Sequence, residues 1–455
     1  MPLHPLQTEW DAGLRGGDPL AFPGYSPPDG ESVLTGRAVV PSPGRPEHAY
    51  ALIEGRFDVM GGSMGAVHGE RVVRAFRRAT QERLPVVIVS ASGGARMQEG
   101  MVSLVQMART ATASRAHARA GLLQVAVLRG PTTGGVYASY VSLADVRAAE
   151  PGATIGFAGP RVVELTTGER ILGDSHTAEF AFRHGLVDAL VARTDQARWV
   201  EAALGLRLVA AADAAPLGGR RDDISAEGAW GEVLRSRSGP HADAWAVALT
   251  ESWTELRGAD ASVRAALATF EGRRVVVVAT NRERRPTPAG YRLAQRAIAL
   301  ASRLGLPLVT FVDTPGADPR TAAEAGGAAG EIARAFAAMA ELATPSVALV
   351  TGEGGSGGAL ALAFADRLLL LEHAVFSVIA PEGAAAILDR DASTAPARAG
   401  DLKPTAADLL AAGIIDGVIQ ESEAAVRKAI GRALDEAVAG DRTRRFDAAT
   451  ARWLR

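Results

Sequence analysis

The chain has 455 residues, of which 47% are hydrophobic and 22% charged, enough apolar material for about two or three globular domains. Its formal net charge of -2 gives no general electrostatic reason to bind nucleic acid or an anionic membrane. The absence of cysteine excludes disulfides, thiolate catalysis and cysteine-bound metal. We expect a cytoplasmic protein, because the N-terminus lacks signal-peptide features and no apolar run reaches the ~18 residues of a membrane span.

The first half of the chain predicts alternating strands and helices after a start rich in proline and glycine. Residues 1–50 are interpreted mainly as a wrapping loop. The predicted strands are 49–58, 86–90, 123–128, 146–149, 154–157 and 186–192. The predicted helices are 69–83, 97–120, 134–144 and 178–184. This alternation favours an α/β fold with parallel sheets.

The second half repeats the alternation after a linker-like stretch. We predict a first domain at 1–200, a linker at 201–240 and a second domain at 241–455. The predicted strands of the second domain are 274–279, 308–313, 346–351, 368–371 and 375–379. Its predicted helices are 290–304, 322–343, 357–364 and 405–412, and residues 413–420 close it.

The two halves are similar copies of one arrangement. In each, an apolar strand ends in a small-residue loop, and a second apolar strand ends in a glycine pair that opens a helix. Pro85 and Pro307 are 222 residues apart, and Gly134 and Gly357 are 223 apart. This offset is too long for a solenoid repeat and predicts two tandem domains, each with its own backbone-amide site.

The glycine pairs predict sites for a negatively charged oxygen. The first N–H groups of a helix have no internal partner, and glycine lets a substrate approach them closely. Gly134–Gly135 would supply one donor and the Gly93–Ala95 loop a second. Gly357–Gly358, followed by Ala359, and Gly316–Ala317 repeat the construction. A single such pair is more often a packing feature or a phosphate cradle, whereas two matched pairs favour function.

Side-chain chemistry is less well supported. Gly354–Gly358 matches a nucleophile elbow around Ser356, but the only histidine near it in sequence is His373. The histidines show no metal-ligand spacing. His68 is interpreted as a packing residue rather than a base. Arg96 could bind a phosphate or carboxylate, or it could pair with Glu99 or Glu164 as scaffolding.

Several motifs resemble those of the bacterial acetyl-CoA carboxylase carboxyltransferase. Similar to its β-subunit are Met60–Gly65, Ser90–Glu99, Pro131–Val136, Glu150–Pro151 and Ile155–Val162. Similar to its α-subunit are Pro288–Arg292, Asp313–Ala317, Gly352–Leu360 and Ser377–Gly383. The resemblance implies two tandem crotonase-like (ClpP-like) domains, each a β-β-α superhelix with a parallel sheet. It also implies transfer of a carboxyl group from carboxybiotin to an acyl-CoA, most simply acetyl-CoA to malonyl-CoA.

The resemblance also assigns the reactants. It implies that the first half stabilises the enolate of the acyl-CoA thioester and the second half the ureido oxygen of biotin. The candidate catalytic residues are Gly134, Gly135, Gly357 and Gly358. The candidate substrate-binding residues are Gly93, Gly94, Ala95, Arg96, Gly316, Ala317 and Ala359.

The implied partners are an acyl-CoA, a separate biotin carboxyl carrier protein, biotin carboxylase and at least a second copy of the chain. No metal is expected, because the family's four-cysteine zinc ribbon has no counterpart in a chain without cysteine. The family's α-subunit has a long loop rich in Lys and Arg before the motif that matches Pro288–Arg292, and only Asn281–Thr287 stands in its place here. Two alternatives stay open: a biotin-independent decarboxylase of malonyl-thioesters or malonate, and a non-catalytic acyl-CoA-binding scaffold.

Overall fold

The computed structural model describes residues 3–41, 47–168, 171, 173–219, 224–452 and 454. The chain divides into two compact units, Met1–Arg207 and Leu208–Arg455. The division falls within 201–240, the range predicted as a linker, and that range also contains a helix at Gly228–Ser236. None of the described helices is both long and apolar enough to cross a lipid bilayer.

The first unit is built on one eight-stranded sheet. Its strands are β1 Leu6–Trp10, β2 Val33–Val40, β3 His48–Gly55, β4 Val86–Ser92, β5 Gln124–Thr133, β6 Val146–Ala149, β7 Ile155–Gly156 and β8 Ala189–Leu190. The order is β1-β2-β3-β4-β5-β6-β8, with β7 paired to β5. Pairing is antiparallel from β1 to β3 and parallel beyond β3. All seven residues of β4 are buried, as expected for a central parallel strand.

The helices of the first unit follow the predicted order with shorter pieces. They are α1 Ala66–Gln81, α2 Gly100–Leu104, α3 Gln106–Arg119, α4 Gly134–Val136, α5 Pro160–Thr167, α6 Ala178–Arg183 and α7 Gln196–Ala203. There are 3₁₀ turns at Met60–Gly62, Met97–Glu99 and Arg193–Asp195, and a π turn at Tyr137–Val141. The apolar face predicted for α1 is buried, with Phe76 fully covered.

Three sequence expectations for the first unit are wrong. The start of the chain, interpreted as a wrapping loop, contributes β1 and β2 to the sheet. The single helix predicted at 97–120 is divided near Gly100, whose φ of +53° is not helical. The helix predicted at 134–144 becomes a short α-turn followed by the π turn, because Ser139 has φ -129° and ψ -117°.

The second unit is built on a sheet of the same design. Its strands are β9 Ser252–Leu256, β10 Val263–Phe270, β11 Arg273–Thr280, β12 Leu308–Thr314, β13 Ser346–Gly355, β14 Arg367–Leu371, β15 Val375–Ser377 and β16 Gly417–Ile419. The order is β16-β14-β13-β12-β11-β10-β9, with β15 paired to β13. All residues of β12 and β13 are buried.

Eleven described α-helices accompany this second sheet. They are α8 Gly228–Ser236, α9 Ala242–Leu249, α10 Pro288–Leu304, α11 Thr321–Ala325, α12 Ala328–Glu341, α13 Ser356–Ala363, α14 Pro381–Leu388, α15 Ala395–Leu402, α16 Ala406–Ala411, α17 Glu423–Glu436 and α18 Asp441–Ala451. A 3₁₀ turn covers Ala392–Thr394. The helix predicted at 322–343 is split into α11 and α12, because Gly327 has φ +80°.

The central strands of the two units share one register. Val86 pairs with Gln124 in the first sheet, and Leu308 pairs with Ser346 in the second. Both positions are shifted by the same amount, since 308 − 86 and 346 − 124 equal 222. The expected shift of 223 for the glycine pairs is therefore wrong by one residue. Gly134 corresponds to residue 356, and Gly135 corresponds to residue 357.

Candidate active site

The loop that follows β4 in the first unit is a tight turn whose first amides are already bonded. Gly94 has a φ of +115°, which favours glycine. Its N–H donates to Ser92 Oγ at 3.0 Å, and the Gly93 N–H donates to the Gly61 carbonyl at 2.9 Å. Ala95 is different, because its N–H has no acceptor among the described residues.

The start of α4 lies directly against this loop. A Cβ on Gly134 would be 2.8 Å from the Cα of Gly94, so a side chain there would push the two segments apart. The Gly134 N–H donates to the Phe157 carbonyl at 2.9 Å and is not available to a substrate. The Gly135 N–H belongs to the first helical turn and finds no acceptor in the described part of the chain. The open donors are therefore those of Ala95 and Gly135.

Arg96 holds this loop in place from the protein interior. Its side chain is 1% exposed and donates to Glu31 at 2.5 Å and to Glu99 at 2.9 Å. Burial raises the pKa of Glu31, but the bonds and charge of Arg96 outweigh it and bring that pKa below its usual range. The interpretation of Arg96 as scaffolding is confirmed for Glu99. Its substrate-binding role is not supported, because the guanidinium is fully engaged inside the protein.

The second unit repeats the loop after β12 with different side chains. Gly316 has a φ of +121°, and its N–H donates to Thr314 Oγ1 at 3.3 Å. The N–H of Asp318 donates to the Pro286 carbonyl at 3.0 Å. Between them, the Ala317 N–H has no acceptor within the described ranges. Ala317 thus occupies the position of Ala95.

The start of α13 completes the second site. Ser356 has a φ of +59°, the same value as Gly134, although it carries a side chain. Gly357 follows in the first turn, and a Cβ built on it would meet nothing within 4 Å. Its N–H finds no acceptor in the residues that the structure describes. Among the described residues, the N–H groups of Ala317 and Gly357 are thus two donors without an acceptor, as those of Ala95 and Gly135 are in the first unit.

The next two residues of α13 serve packing. A Cβ on Gly358 would lie 2.5 Å from the Ala317 nitrogen, so only glycine allows the loop to approach the helix. The hydroxyl of Tyr291 donates to the Gly358 carbonyl at 3.0 Å and holds this contact. Ala359 is fully buried. Both residues therefore pack within the unit, Gly358 against the loop that carries Ala317 and Ala359 in the interior.

A buried charge network joins the strand ends that carry the second site. Asp313 is 1% exposed and accepts from Arg282 at 2.8 Å, while Glu353 accepts from the same guanidinium at 3.0 Å. Arg237 donates to Glu353 at 3.0 Å, and His241 Nδ1 lies 3.1 Å from Asp313. The hydrogen bond with Asp313 is the main cause that raises the pKa of His241. These contacts fix β12 and β13 relative to each other just before Ala317 and Gly357.

An apolar cleft of about 730 Å³ opens beside Gly357. The residues that line it are Ser356, Gly357, Leu360, Phe376, Ser377, Val378, Leu402, Leu409, Ala412, Ile414, Phe446, Ala449, Thr450 and Leu454. None of these described lining residues is ionisable, so the cleft suits an uncharged group. Its volume lies within the ~300–1,000 Å³ that small-molecule sites usually have.

The other side-chain candidates do not form a catalytic group. His68 is fully buried between Ser32 Oγ at 2.8 Å and the Tyr140 hydroxyl at 3.2 Å, and burial lowers its pKa to about 3. His373 contacts Glu232 at 2.9 Å and lines a different depression from Ser356, which leaves the nucleophile-elbow hypothesis without a base. Among the described residues, no three His, Asp or Glu side chains are placed to hold a metal ion.

In the described part of each unit, an N–H group from a loop after a strand and an N–H group from a helix start therefore lack a protein acceptor. Such pairs stabilise a developing oxyanion, with each donor typically contributing about 2.7–4 kcal/mol to a transition state. Sequence reasoning identified both loops and both glycine pairs. It missed the residue shift in the second unit and the bonded state of Gly134, Gly94 and Gly316, which depend on three-dimensional partners.

Two family models match the chain, one in each half. Residues 30–197 match the carboxyl transferase domain. Residues 229–441 match the acetyl co-enzyme A carboxylase carboxyltransferase-like family.

Curated relatives match across both halves. A Salinispora arenicola protein named acetyl-coenzyme A carboxylase carboxyl transferase subunits beta/alpha is 43% identical, over 86% of this chain and 73% of the relative. A Mycobacterium bovis protein named "Probable biotin-dependent acyl-coenzyme A carboxylase beta3 subunit" is 39% identical, over 86% of this chain and 80% of the relative.

The fold matches a solved carboxyltransferase. The crystal structure of transcarboxylase 12S, described as a hexamer assembly, aligns with a TM-score of 0.78 at 24% identity. The alignment covers 94% of this chain and 86% of that one. It confirms the predicted fold class, two tandem crotonase-like domains.

Proposed function

The chain belongs to the biotin-dependent acyl-CoA carboxylase carboxyltransferases, with β-like and α-like halves fused, and we propose that it carboxylates acetyl-CoA to malonyl-CoA. The observation that carries this proposal is the matched pair of open N–H groups in each unit. A reaction in which two different oxygens become negative in turn needs two such sites.

The first unit would bind the acyl-CoA thioester. Its carbonyl oxygen would accept from the N–H groups of Ala95 and Gly135, and both bonds strengthen when the thioester becomes an enolate. Gly134 would act by permitting the close contact between the loop and the helix, since its own N–H is bonded. Gly93 and Gly94 would shape the turn that presents Ala95.

The second unit would bind the biotin group, whose ureido oxygen would accept from Ala317 and Gly357. The uncharged cleft beside Gly357 fits a neutral ring system and an aliphatic chain. Carboxybiotin would supply the carboxyl group: its N–C bond would break, a C–C bond would form at the acyl α-carbon, and the α-proton would pass to the ureido nitrogen. Gly316, Gly358 and Ala359 would maintain the geometry of the two donors.

The partners follow from this chemistry. We propose that biotin arrives on a separate carrier protein that is recharged by a biotin carboxylase. Apolar side chains are exposed in segments that follow elements of the two sites: Met97 and Met101 come after Ala95 in the chain, and Val378, Ile387 and Leu388 come after β15. We propose that a second copy of the chain covers these residues, so that the active form is at least a dimer.

The proposed activity is tested by running the reaction in reverse. The purified chain is incubated with malonyl-CoA, with and without free biotin, and acetyl-CoA is measured. Biotin-dependent formation of acetyl-CoA is expected. Release of CO₂ from malonyl-CoA without biotin would favour a decarboxylase instead, and no turnover alongside tight acyl-CoA binding would favour a scaffold. Light scattering during size-exclusion chromatography tests the oligomer, and a monomer would contradict that part.

A further inference from the structure

The C-terminal helix α18 forms one wall of the cleft beside Gly357. Phe446, Ala449 and Thr450 line the cleft from this helix, and Leu454 continues the same wall. The opposite walls come from α13, β15 and the segment around α16. The cleft is therefore closed by a helix distant in sequence from the glycine motif, since Phe446 lies 89 residues after Gly357.

This wall lies after the range that the family model matches. The match to the acetyl co-enzyme A carboxylase carboxyltransferase-like family ends at residue 441, and α18 begins at Asp441. The donors Ala317 and Gly357 lie inside the matched range. The donors of the second site therefore lie within the matched range, and the wall formed by α18 follows it.

Two arginines hold α18 firmly in position. Arg442 is 1% exposed and donates to the Leu342 carbonyl at 2.6 Å and to Ser346 Oγ at 3.2 Å. Arg445 donates to the Ala365 carbonyl at 2.6 Å and to Asp416 at 2.7 Å. These bonds reach the beginning of β13 and the segment before β14. They make the wall a fixed part of the unit.

The ring of Phe446 adds a stacked contact to this attachment. It packs on Phe364, just after α13, with centroids 5.6 Å apart and planes 18° apart. The face of α18 that reaches the cleft therefore packs against the end of α13, the helix that begins at Ser356. Ala449, one turn later, leaves the space that a ligand would occupy, and Ala448 beside it is exposed and does not line the cleft.

We propose that α18 determines which donor group fits the second site, with Phe446 and Ala449 limiting the width of the cleft. The group it takes is the uncharged fused ring of biotin and its aliphatic chain, because no lining residue carries a charge. The pyrophosphate of a CoA ester has no cationic partner in that lining. This inference rests on the assignment of biotin to the second unit.

The test compares Ala449→Leu with Ala448→Leu in the reverse reaction. Both changes add the same bulk to the same helix, but only the first one enters the cleft. We expect Ala449→Leu to raise the KM for free biotin about tenfold or more while the KM for malonyl-CoA and the melting temperature stay unchanged. Ala448→Leu should have the same KM for biotin, KM for malonyl-CoA and melting temperature as the wild type. An equal KM for biotin in both variants would overturn the inference while leaving the proposed function intact.

A binding measurement separates this inference from the activity. Biotin methyl ester, which is uncharged, is titrated calorimetrically into the wild type and both variants. Weaker binding by Ala449→Leu alone supports the role of α18 even if the wild type shows no turnover, in which case only the proposed reaction fails. Equal binding by all three proteins, or no binding by the wild type, contradicts the inference.

Discussion

The two units build the same donor pair from different residues. In both, a glycine with φ near +120° donates its N–H to the side-chain hydroxyl of the residue two positions earlier. The N–H of the alanine that follows this glycine has no acceptor among the described residues. In both, the first residue of the helix has φ +59°, but it is Gly134 in one unit and Ser356 in the other. The shared feature is therefore backbone conformation, and side chains are free to vary where they do not face the oxygen.

The two units differ in the buried ion pairs that hold the donor-bearing segments in place. In the first, one buried guanidinium, that of Arg96, bridges two buried carboxylates and the helix after Gly135 is irregular. In the second, Arg237 and Arg282 share Glu353, and Arg237 also contacts Glu382. The helix that contains Gly357, α13, runs without interruption for eight residues from Ser356. The first support depends on a single cation, whereas the second is redundant.

The largest expected effect comes from obstructing either donor pair. Gly135→Val and Gly357→Val should each lower the rate of biotin-dependent acetyl-CoA formation by about 10²–10³-fold, the usual cost of losing one oxyanion donor. A Cβ at position 357 enters open space, and one at 135 meets the flexible Met107 side chain, with its sulfur at 3.1 Å, and the Ala95 Cβ at 3.6 Å. Melting temperatures serve as the control, and full activity in either variant would remove that unit from the proposed chemistry.

The next largest effect should be a loss of stability when the ion-pair network of the first unit is broken, compared with that of the second unit. Arg96→Met leaves Glu31 and Glu99 buried without their shared cation, which should cost about 3–5 kcal/mol in the free energy of unfolding. Denaturant unfolding measures this change. A loss smaller than that of the next variant would contradict the view that the first support is the less redundant one.

In the second unit, loss of one carboxylate should be tolerated better. Asp313→Ala removes the bonds from Arg282 and the Glu353 N–H, yet Glu353 still neutralises the guanidinium. We expect a cost of about 1.5–3 kcal/mol, the range for hydrogen bonds to charged groups. The KM for biotin should rise more than the KM for malonyl-CoA. A change confined to malonyl-CoA would reverse the assignment of the units.

The smallest effect concerns His241 and has a defined pH dependence. Its raised pKa in the folded state, caused first by Asp313, means that its contribution is complete below the ordinary histidine value of about 6.5 and is lost as pH rises through the folded pKa. His241→Gln should lower stability at about pH 5.5 by ~0.2–1 kcal/mol, because the ring is partly exposed. Near pH 9, unfolding of the two proteins should coincide, and a larger difference there would refute the ion pair.

Much of this arrangement could be predicted from the chain itself. Apolar runs such as 86–90 and 308–313 identified buried parallel strands, and the repeated small-residue loops identified both candidate sites. The partners of the individual amides could not be predicted. Gly134 is bonded to Phe157, which lies more than twenty residues away, and no local pattern signals this contact.

The one-residue shift was hidden for a similar reason. Matching glycine to glycine aligned Gly134 with Gly357, whereas the structure aligns it with Ser356, a non-glycine residue at positive φ. Residue type was a poor guide there because the serine tolerates a conformation that usually favours glycine. The wall formed by α18 was also missed, since it lies outside every recognised motif.

The most direct test of the central claim, that each unit holds a different reactant, is a crossed binding experiment. Calorimetric titration of malonyl-CoA and of biotin methyl ester is performed on Gly135→Val and on Gly357→Val. We predict that Gly135→Val weakens binding of malonyl-CoA alone and that Gly357→Val weakens binding of the biotin ester alone. If both variants lose the same ligand, the assignment of one oxygen to each pair of amides is contradicted.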